Sequence, residues 1–207
     1  SANTESWNGS SWTETTDLPT GQAGSSAGDS ATAALFFGGP VNPSPPYISA
    51  ITLAYNGSSW TSVNSMNTSR RIGPRGSSVG ANSSGGAYYA GGNTGTTVAN
   101  METWNGTSWS ETGDLNIARY SVAGAGSSTD AIVSSGTTPA TSYSSHTEEF
   151  NTSVPIGSWA AGGNMNTGRG QASGSGAAQT AALAFLGYTD TNYTNTNICE
   201  SYDGTSW

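Results

Sequence analysis

Side chains able to do covalent or metal chemistry are scarce in this chain. His146 is the single histidine and Cys199 the single cysteine, so no intrachain disulfide can form. Structural zinc takes four Cys or His ligands and catalytic zinc usually three protein ligands; His and Cys cannot supply either set here. A Ser-His-Asp triad would have to pass through His146, and no Gly-x-Ser-x-Gly sits where a strand turns into a helix. Glycoside hydrolysis needs two carboxylates flanking one bond. Glu148 and Glu149 are adjacent, and neighbours on a strand point to opposite faces. The expectation is a protein that is not an enzyme, with no catalytic residue, metal or cofactor. Cys199 reads as a small strand residue turned toward the interior.

Residues suited to recognition are more numerous. Tyr47, Tyr143, His146, Tyr188, Asp190 and Tyr193 stand in segments of irregular sequence, while Arg70, Arg119 and Arg169 recur at matching positions. Aromatic rings stack on the apolar faces of sugars, and charged or amide groups fix the hydroxyls. These nine residues are the candidate ligand contacts. The repeated arginines have a second reading, hydrogen bonding to carbonyls between repeats, and the tyrosines a second one as turn packing. Thirteen acidic residues face five arginines and no lysine, giving a net charge of −8. That balance excludes a phosphate-backbone binder and an anionic membrane surface. No run reaches the length of apolar residues needed to span a bilayer.

The elements that must position these residues are written in a repeat. Ser (34), Thr (28) and Gly (29) dominate the 207 residues, yet aromatics make up 10%, too many for a disordered Ser/Gly linker. An aromatic, then Asn-Gly or Asp-Gly, two small residues and Trp recur as Trp7–Trp12, Tyr55–Trp60, Trp104–Trp109 and Tyr202–Trp207. A fourth copy is interrupted between Phe150-Asn151 and Gly157-Ser158-Trp159. The closing tryptophans 12, 60, 109, 159 and 207 are 48 to 50 residues apart. Asn-Gly between β-formers marks a hairpin with a type I′ turn, whose two central residues need positive φ. The flanking aromatics then face one another across the strands, and the repeated tryptophans read as core.

After each hairpin comes a polar connector with Leu18, Met66, Leu115 or Met165. Arg70, Arg119 and Arg169 close three connectors, and Gly21 takes that place in the first. A strand of tiny residues follows, such as 121–126 or 171–176, then an apolar strand, as at 33–39, 87–92, 131–133 and 181–187. Four-stranded units at this period predict an all-β chain folded as a β-propeller of antiparallel blades. The tiny strands lie innermost and the aromatic hairpins outermost. Hairpins are expected near 5–14, 53–62, 102–111, 148–160 and 200–207 of a single domain over 1–207. Five hairpins against four inner pairs allow four blades with a spare hairpin, five blades with one partial, or a stretch of a longer chain.

The order of small strand after Arg, apolar strand ending in Gly38-Gly39 or Gly91-Gly92, aromatic strand, and strand bearing Trp60, Trp109 or Trp159 resembles the kelch repeat. Gly-Gly is replaced at Ser135-Gly136 and Leu186-Gly187. The recurring Trp-Asn-Gly-Thr-Ser-Trp style is similar to kelch-type repeats of aquatic bacteriophage virion and tail-associated proteins and of bacterial surface proteins. The resemblance implies a non-enzymatic structural or adhesive module on a virion or cell exterior. Its expected partners are a surface glycan or another surface protein, with room for a second copy of itself, and without nucleic acid or membrane insertion. The alternatives are an intracellular protein-interaction scaffold or a carbohydrate-active enzyme. In such a propeller the inter-blade connectors and the loops joining second to third strands share one face.

Overall fold

The computed structural model describes residues 2–40, 47–72, 86–140, 143–153, 157–189 and 192–207. Among these the chain is all-β, with sixteen strands and no helix. β1 (Glu5–Trp7) and β2 (Trp12–Glu14) form a hairpin. β3 (Ser25–Ser30), β4 (Ala33–Phe37), β5 (Thr52–Tyr55) and β6 (Trp60–Val63) make a four-stranded sheet. β7 (Tyr88–Ala90), β8 (Met101–Trp104) and β9 (Trp109–Thr112) make a three-stranded one; the tiny strand expected to precede them falls outside the described residues. β10 (Ala123–Gly126), β11 (Asp130–Ser134), β12 (Thr147–Asn151) and β13 (Ser158–Ala161) form the next four-stranded sheet. β14 (Ser173–Ala178), β15 (Ala181–Phe185) and β16 (Cys199–Tyr202) form the last. Every pairing within these sheets is antiparallel between strands adjacent in sequence.

Four of the five expected hairpins form where the sequence placed them, while after Tyr202 the turn forms and no closing strand pairs with β16; the turns described differ from the expected type. Trp7 pairs with Trp12, Tyr55 with Trp60 and Trp104 with Trp109, so four residues loop between each pair. Only the glycines take positive φ: Gly9, Gly57, Gly106 and Gly204 lie at 92–100°. The residue before each stays out of that region because its side chain makes the turn. Asn56 Oδ1 accepts the Ser58 and Ser59 amides at 3.0 and 2.9 Å, and Asn8, Asn105 and Asp203 do the same. This is an Asx turn, not the expected type I′. The aromatic rings still meet, with centroids 5.0–5.6 Å apart in the four hairpins and at Tyr202–Trp207.

The Gly-Gly signature marks a backbone shape more than a residue type. Gly38, Gly91, Ser135 and Leu186 occupy one position and share φ near 60–68°; Gly39, Gly92, Gly136 and Gly187 follow at 90–106°. At Gly39 a Cβ would lie 1.9 Å from the Ala23 carbonyl oxygen, which only glycine can satisfy. Ser135 tolerates the left-handed conformation while its Oγ accepts the Ala123 amide at 3.3 Å.

Consecutive sheets pack face to face. The first strands of the third and fourth repeats come close: a Cβ on Gly174 would meet the Gly124 backbone at 2.7 Å, so β10 and β14 carry glycine where they touch. Between the first and second sheets lie Leu35, Phe37, Met66, Tyr89, Trp104 and Trp109. Between the second and third lie Met101, Leu115, Val133, Phe150 and Trp159. Trp109 donates its indole N–H to Thr52 Oγ1 of the preceding sheet at 2.8 Å, and Trp207 to Thr147 Oγ1 at 2.9 Å. Met101 stands at the equivalent place for Trp159, whose indole N–H is left without a partner.

Two expectations about burial are corrected. Trp7 and Trp12 are 46% and 65% exposed, because no sheet among the described residues packs over them. Cys199 is exposed, because no sheet among the described residues packs over the face of β16 that carries it.

Candidate functional site

The connectors and the loops after the second strands do run together. Met66 and Arg70 donate backbone N–H groups to Ala50 and Ser49, and Met165 and Arg169 donate theirs to Ser145 and Ser144. The next residue, Gly170, pairs with Tyr188 in the following repeat through two backbone bonds of 3.0 and 2.9 Å. Tyr143, Gly170 and Tyr188 are thereby brought side by side. The Tyr143 ring fills the space where a Gly170 side chain would start, 2.4 Å from that Cβ position. Tyr188 meets Tyr193 edge to face, with centroids 5.4 Å apart.

The result is an aromatic surface over the third and fourth repeats. Tyr143 and Tyr188 are half-buried, while Tyr193 is 63% exposed. His146 lies at its margin, exposed, with Nδ1 2.8 Å from Ser144 Oγ. Tyr47 belongs to the loop of the first repeat and is also exposed. Tyr47 and Tyr193 adopt φ of 56° and 58°, a conformation that costs a bulky side chain about 1 kcal/mol or more. Asp190 lies outside the described residues.

The three candidate arginines go elsewhere. Arg70, Arg119 and Arg169 are fully buried, so their guanidinium groups do not reach a ligand on this surface. Each ion-pairs with a glutamate on the third strand of its own repeat: Arg70 with Glu102 at 2.6 Å, Arg119 with Glu148 at 2.8 Å, and Arg169 with Glu200. Each also donates to the carbonyl two residues before that glutamate, at Asn100, His146 and Ile198. The far carboxylate oxygen accepts the backbone and side-chain N–H groups of Asn67, Asn116 or Asn166 at 2.7–2.9 Å. The same asparagine donates to the carbonyl of Trp109, Trp159 or Trp207 in the next hairpin. This unit clamps connector, third strand and closing strand together at the base of the loops. Burial lowers the affinity of Arg119 for its proton, and Glu148 opposes that shift.

The glutamates carry a signal in the repeat: each stands two residues before the hairpin aromatic Trp104, Phe150 or Tyr202. In the first repeat the whole clamp is exchanged. Pro19, Gln22 and Leu53 occupy the places of Asn, Arg and Glu. The residue equivalent to the arginines is thus Gln22, four after Leu18, rather than Gly21; its buried Nε2 has no partner.

Glu148 and Glu149 part as strand alternation requires. Glu148 pairs with Arg119, whereas Glu149 accepts the phenolic hydrogen of Tyr202 in the next repeat. Among the described residues no group of three His, Cys, Asp or Glu is placed to hold a metal ion. A cleft of about 440 Å³ lies away from the loops, lined by Ser62, Val63, Asn64, Trp104, Gly106 and Thr107. Asn64 Nδ2 crosses it to the Thr107 carbonyl at 2.8 Å. No protein-family model matches the chain, and a comparison with curated proteins returns no significant match.

Proposed function

We infer that the chain is a non-enzymatic adhesive module of kelch-like β-propeller repeats, working on a virion or cell exterior and binding a surface glycan through its aromatic loops. Three features support the repeat architecture: sequential antiparallel sheets, close approach of the glycine-bearing first strands of the third and fourth repeats, and aromatic hairpins on the opposite edge. The observation that carries the binding reading is the tyrosine group. Tyr193 and Tyr47 hold exposed rings on left-handed backbone, and Tyr188 packs on Tyr193 while Tyr143 packs on Gly170, the backbone partner of Tyr188. Strained exposed aromatics are costly for stability alone and suit stacking on a sugar face. The buried Arg–Glu clamps serve this reading by holding the loop bases rigid.

A glycan array probed with the 207-residue protein tests it. Binding to a restricted set of sugars, weakened at least tenfold by Tyr193→Ala or Tyr188→Ala, is the expected outcome. Absence of sugar binding, or binding indifferent to both changes, sinks the glycan reading. An intracellular or surface protein partner would then be the occupant to seek.

A further inference from the structure

The seams between successive aromatic turns are built alike, and one of them is held open. The residue four after a closing tryptophan meets the carbonyl two before the next: Thr16 meets Ser58, Asn64 meets Thr107, Gly113 meets Gly157 and Gly163 meets Thr205. Where that residue is glycine the seam closes tightly: a Cβ on Gly113 or Gly163 would lie 2.5 or 2.3 Å from the facing carbonyl oxygen. Thr16 spans its seam with a hydroxyl, at 2.6 Å. Asn64 is the largest of the four, and its Nδ2 reaches the Thr107 oxygen at 2.8 Å. The longer side chain props apart the β5–β6 and β8–β9 hairpins. Between them lies the cleft of about 440 Å³ whose walls include Val63 and Trp104.

The same seam lacks an acceptor. At the seam closed by Gly163, Tyr202 donates its hydroxyl to Glu149 and receives the Gly163 amide at 3.3 Å. Trp104 is the counterpart of Tyr202, Ala54 of Glu149 and Asn64 of Gly163. Phe150, at the seam between these two, has no polar atom to satisfy. Trp104 is 2% exposed, and its buried indole N–H has no hydrogen-bond partner among the described residues. An unbonded buried donor is costly, so a molecule that brings the missing acceptor gains by it.

We propose that this cleft binds the acetamido group of an N-acetylated sugar. One small group then meets all three features of the walls. Its carbonyl takes the Trp104 indole N–H, its own N–H bonds the Thr107 carbonyl, and its methyl lies against Val63 and the indole ring. The exposed Asn64 side chain turns aside to admit it, which frees the Thr107 oxygen. Asn64 and the exposed Ser62 and Thr107 hydroxyls are then at hand for the sugar ring. The volume suits one hexose with its substituent. A carboxylate in the place of Glu149 is disfavoured, because no lining residue is cationic and the chain carries a net charge of −8. The cleft lies away from the tyrosine loops, and its reading does not rest on theirs.

The test is proton–nitrogen correlation NMR of the whole chain, with the Trp104 indole resonance identified by its loss in Trp104→Phe. Titration with N-acetylglucosamine to about 20 mM, beyond the millimolar affinity of a weakly held small ligand, should move that resonance saturably. Glucose over the same range should leave it in place. Asn64→Gly, which installs the residue that closes the seam at Gly113 and Gly163, should abolish the shift while the other resonances keep their dispersion. Trp104→Phe keeps a ring and loses the N–H; saturation transfer to the acetyl methyl of the sugar should fall several-fold. An unmoved indole, an equal response to glucose, or undiminished binding by Asn64→Gly overturns the proposal. An equal response to N-acetyl-lysine overturns it too and puts the acetamide on a protein. Because the readout is one indole of the cleft, a tyrosine surface that binds no sugar leaves this result standing.

Discussion

Arg119 Nη2 donates to Glu148 Oε1 at 2.8 Å, with the two side chains 0% and 3% exposed. A pair this deeply buried is held by its geometry and its further bonds, since desolvation cancels much of the attraction. The carboxylate has those bonds, from the Asn116 amide, its side chain and the Ile117 amide. The first repeat shows the uncharged solution, with Gln22 and Leu53 in the same places. Glu148→Leu alone should therefore cost about 3–5 kcal/mol by stranding the Arg119 charge. Arg119→Gln combined with Glu148→Leu should recover more than half of that loss. Urea unfolding of the two single variants and the double variant measures the coupling; additive effects would refute the clamp.

Alkaline pH should weaken the fold through two tyrosines. Burial, then the hydrogen bond to Glu149, push the Tyr202 hydroxyl up to about 12. Burial also raises Tyr88, whose hydroxyl donates to the Ala125 and Ile132 carbonyls. In the unfolded chain both release their protons near 10. Their contribution is thus whole below pH 10 and declines as pH climbs toward 12, because only the unfolded state gains by ionising. Urea midpoints should fall between pH 10 and pH 11, and Tyr202→Phe should flatten that slope. A midpoint constant over this window would contradict the assignment.

Leu186 is a place where the chain departs from glycine while keeping the backbone glycine prefers. It sits at φ 60° and is 54% exposed. Leu186→Gly should raise stability by about 1 kcal/mol, by relieving the left-handed strain. The reverse operation at Gly39, with the Ala23 oxygen 1.9 Å from its Cβ position, should lower the thermal midpoint markedly. Differential scanning calorimetry of Leu186→Gly and Gly39→Ala reads both signs.

Thr52→Val keeps shape but removes the acceptor for the Trp109 indole, a buried bond of 2.8 Å. The stranded N–H should cost about 1–3 kcal/mol. The same change at Thr103, half-buried and outside any tryptophan contact given above, should cost less than about 0.5 kcal/mol. Equal effects at both sites would mean that the indole bond contributes nothing.

The strands were legible because their signals are local. The Asn-Gly spacing, the aromatic at either side and the tiny-residue runs each involve neighbours a few positions apart. The predicted strands at 33–39 and 181–187 accordingly appear as Ala33–Phe37 and Ala181–Phe185. The turn type was misread because Asn56 satisfies the turn amides with its side chain, which the dipeptide alone does not reveal. The arginines were visible as a repeat, but their chemistry was not, since each glutamate partner lies 29 to 32 residues further on.

By itself, the amino-acid order determined the period, the hairpins and the aromatic pairs that close them. Turn geometry, strand alternation and cross-strand contacts are settled within a dozen residues. Only the tertiary structure decided that Arg70, Arg119 and Arg169 are interior clamps, that Tyr143 and Tyr188 both come to Gly170, and that Trp12 and Leu183 are exposed. Those outcomes depend on which face each sheet turns to its neighbour, a relation between residues far apart in the chain.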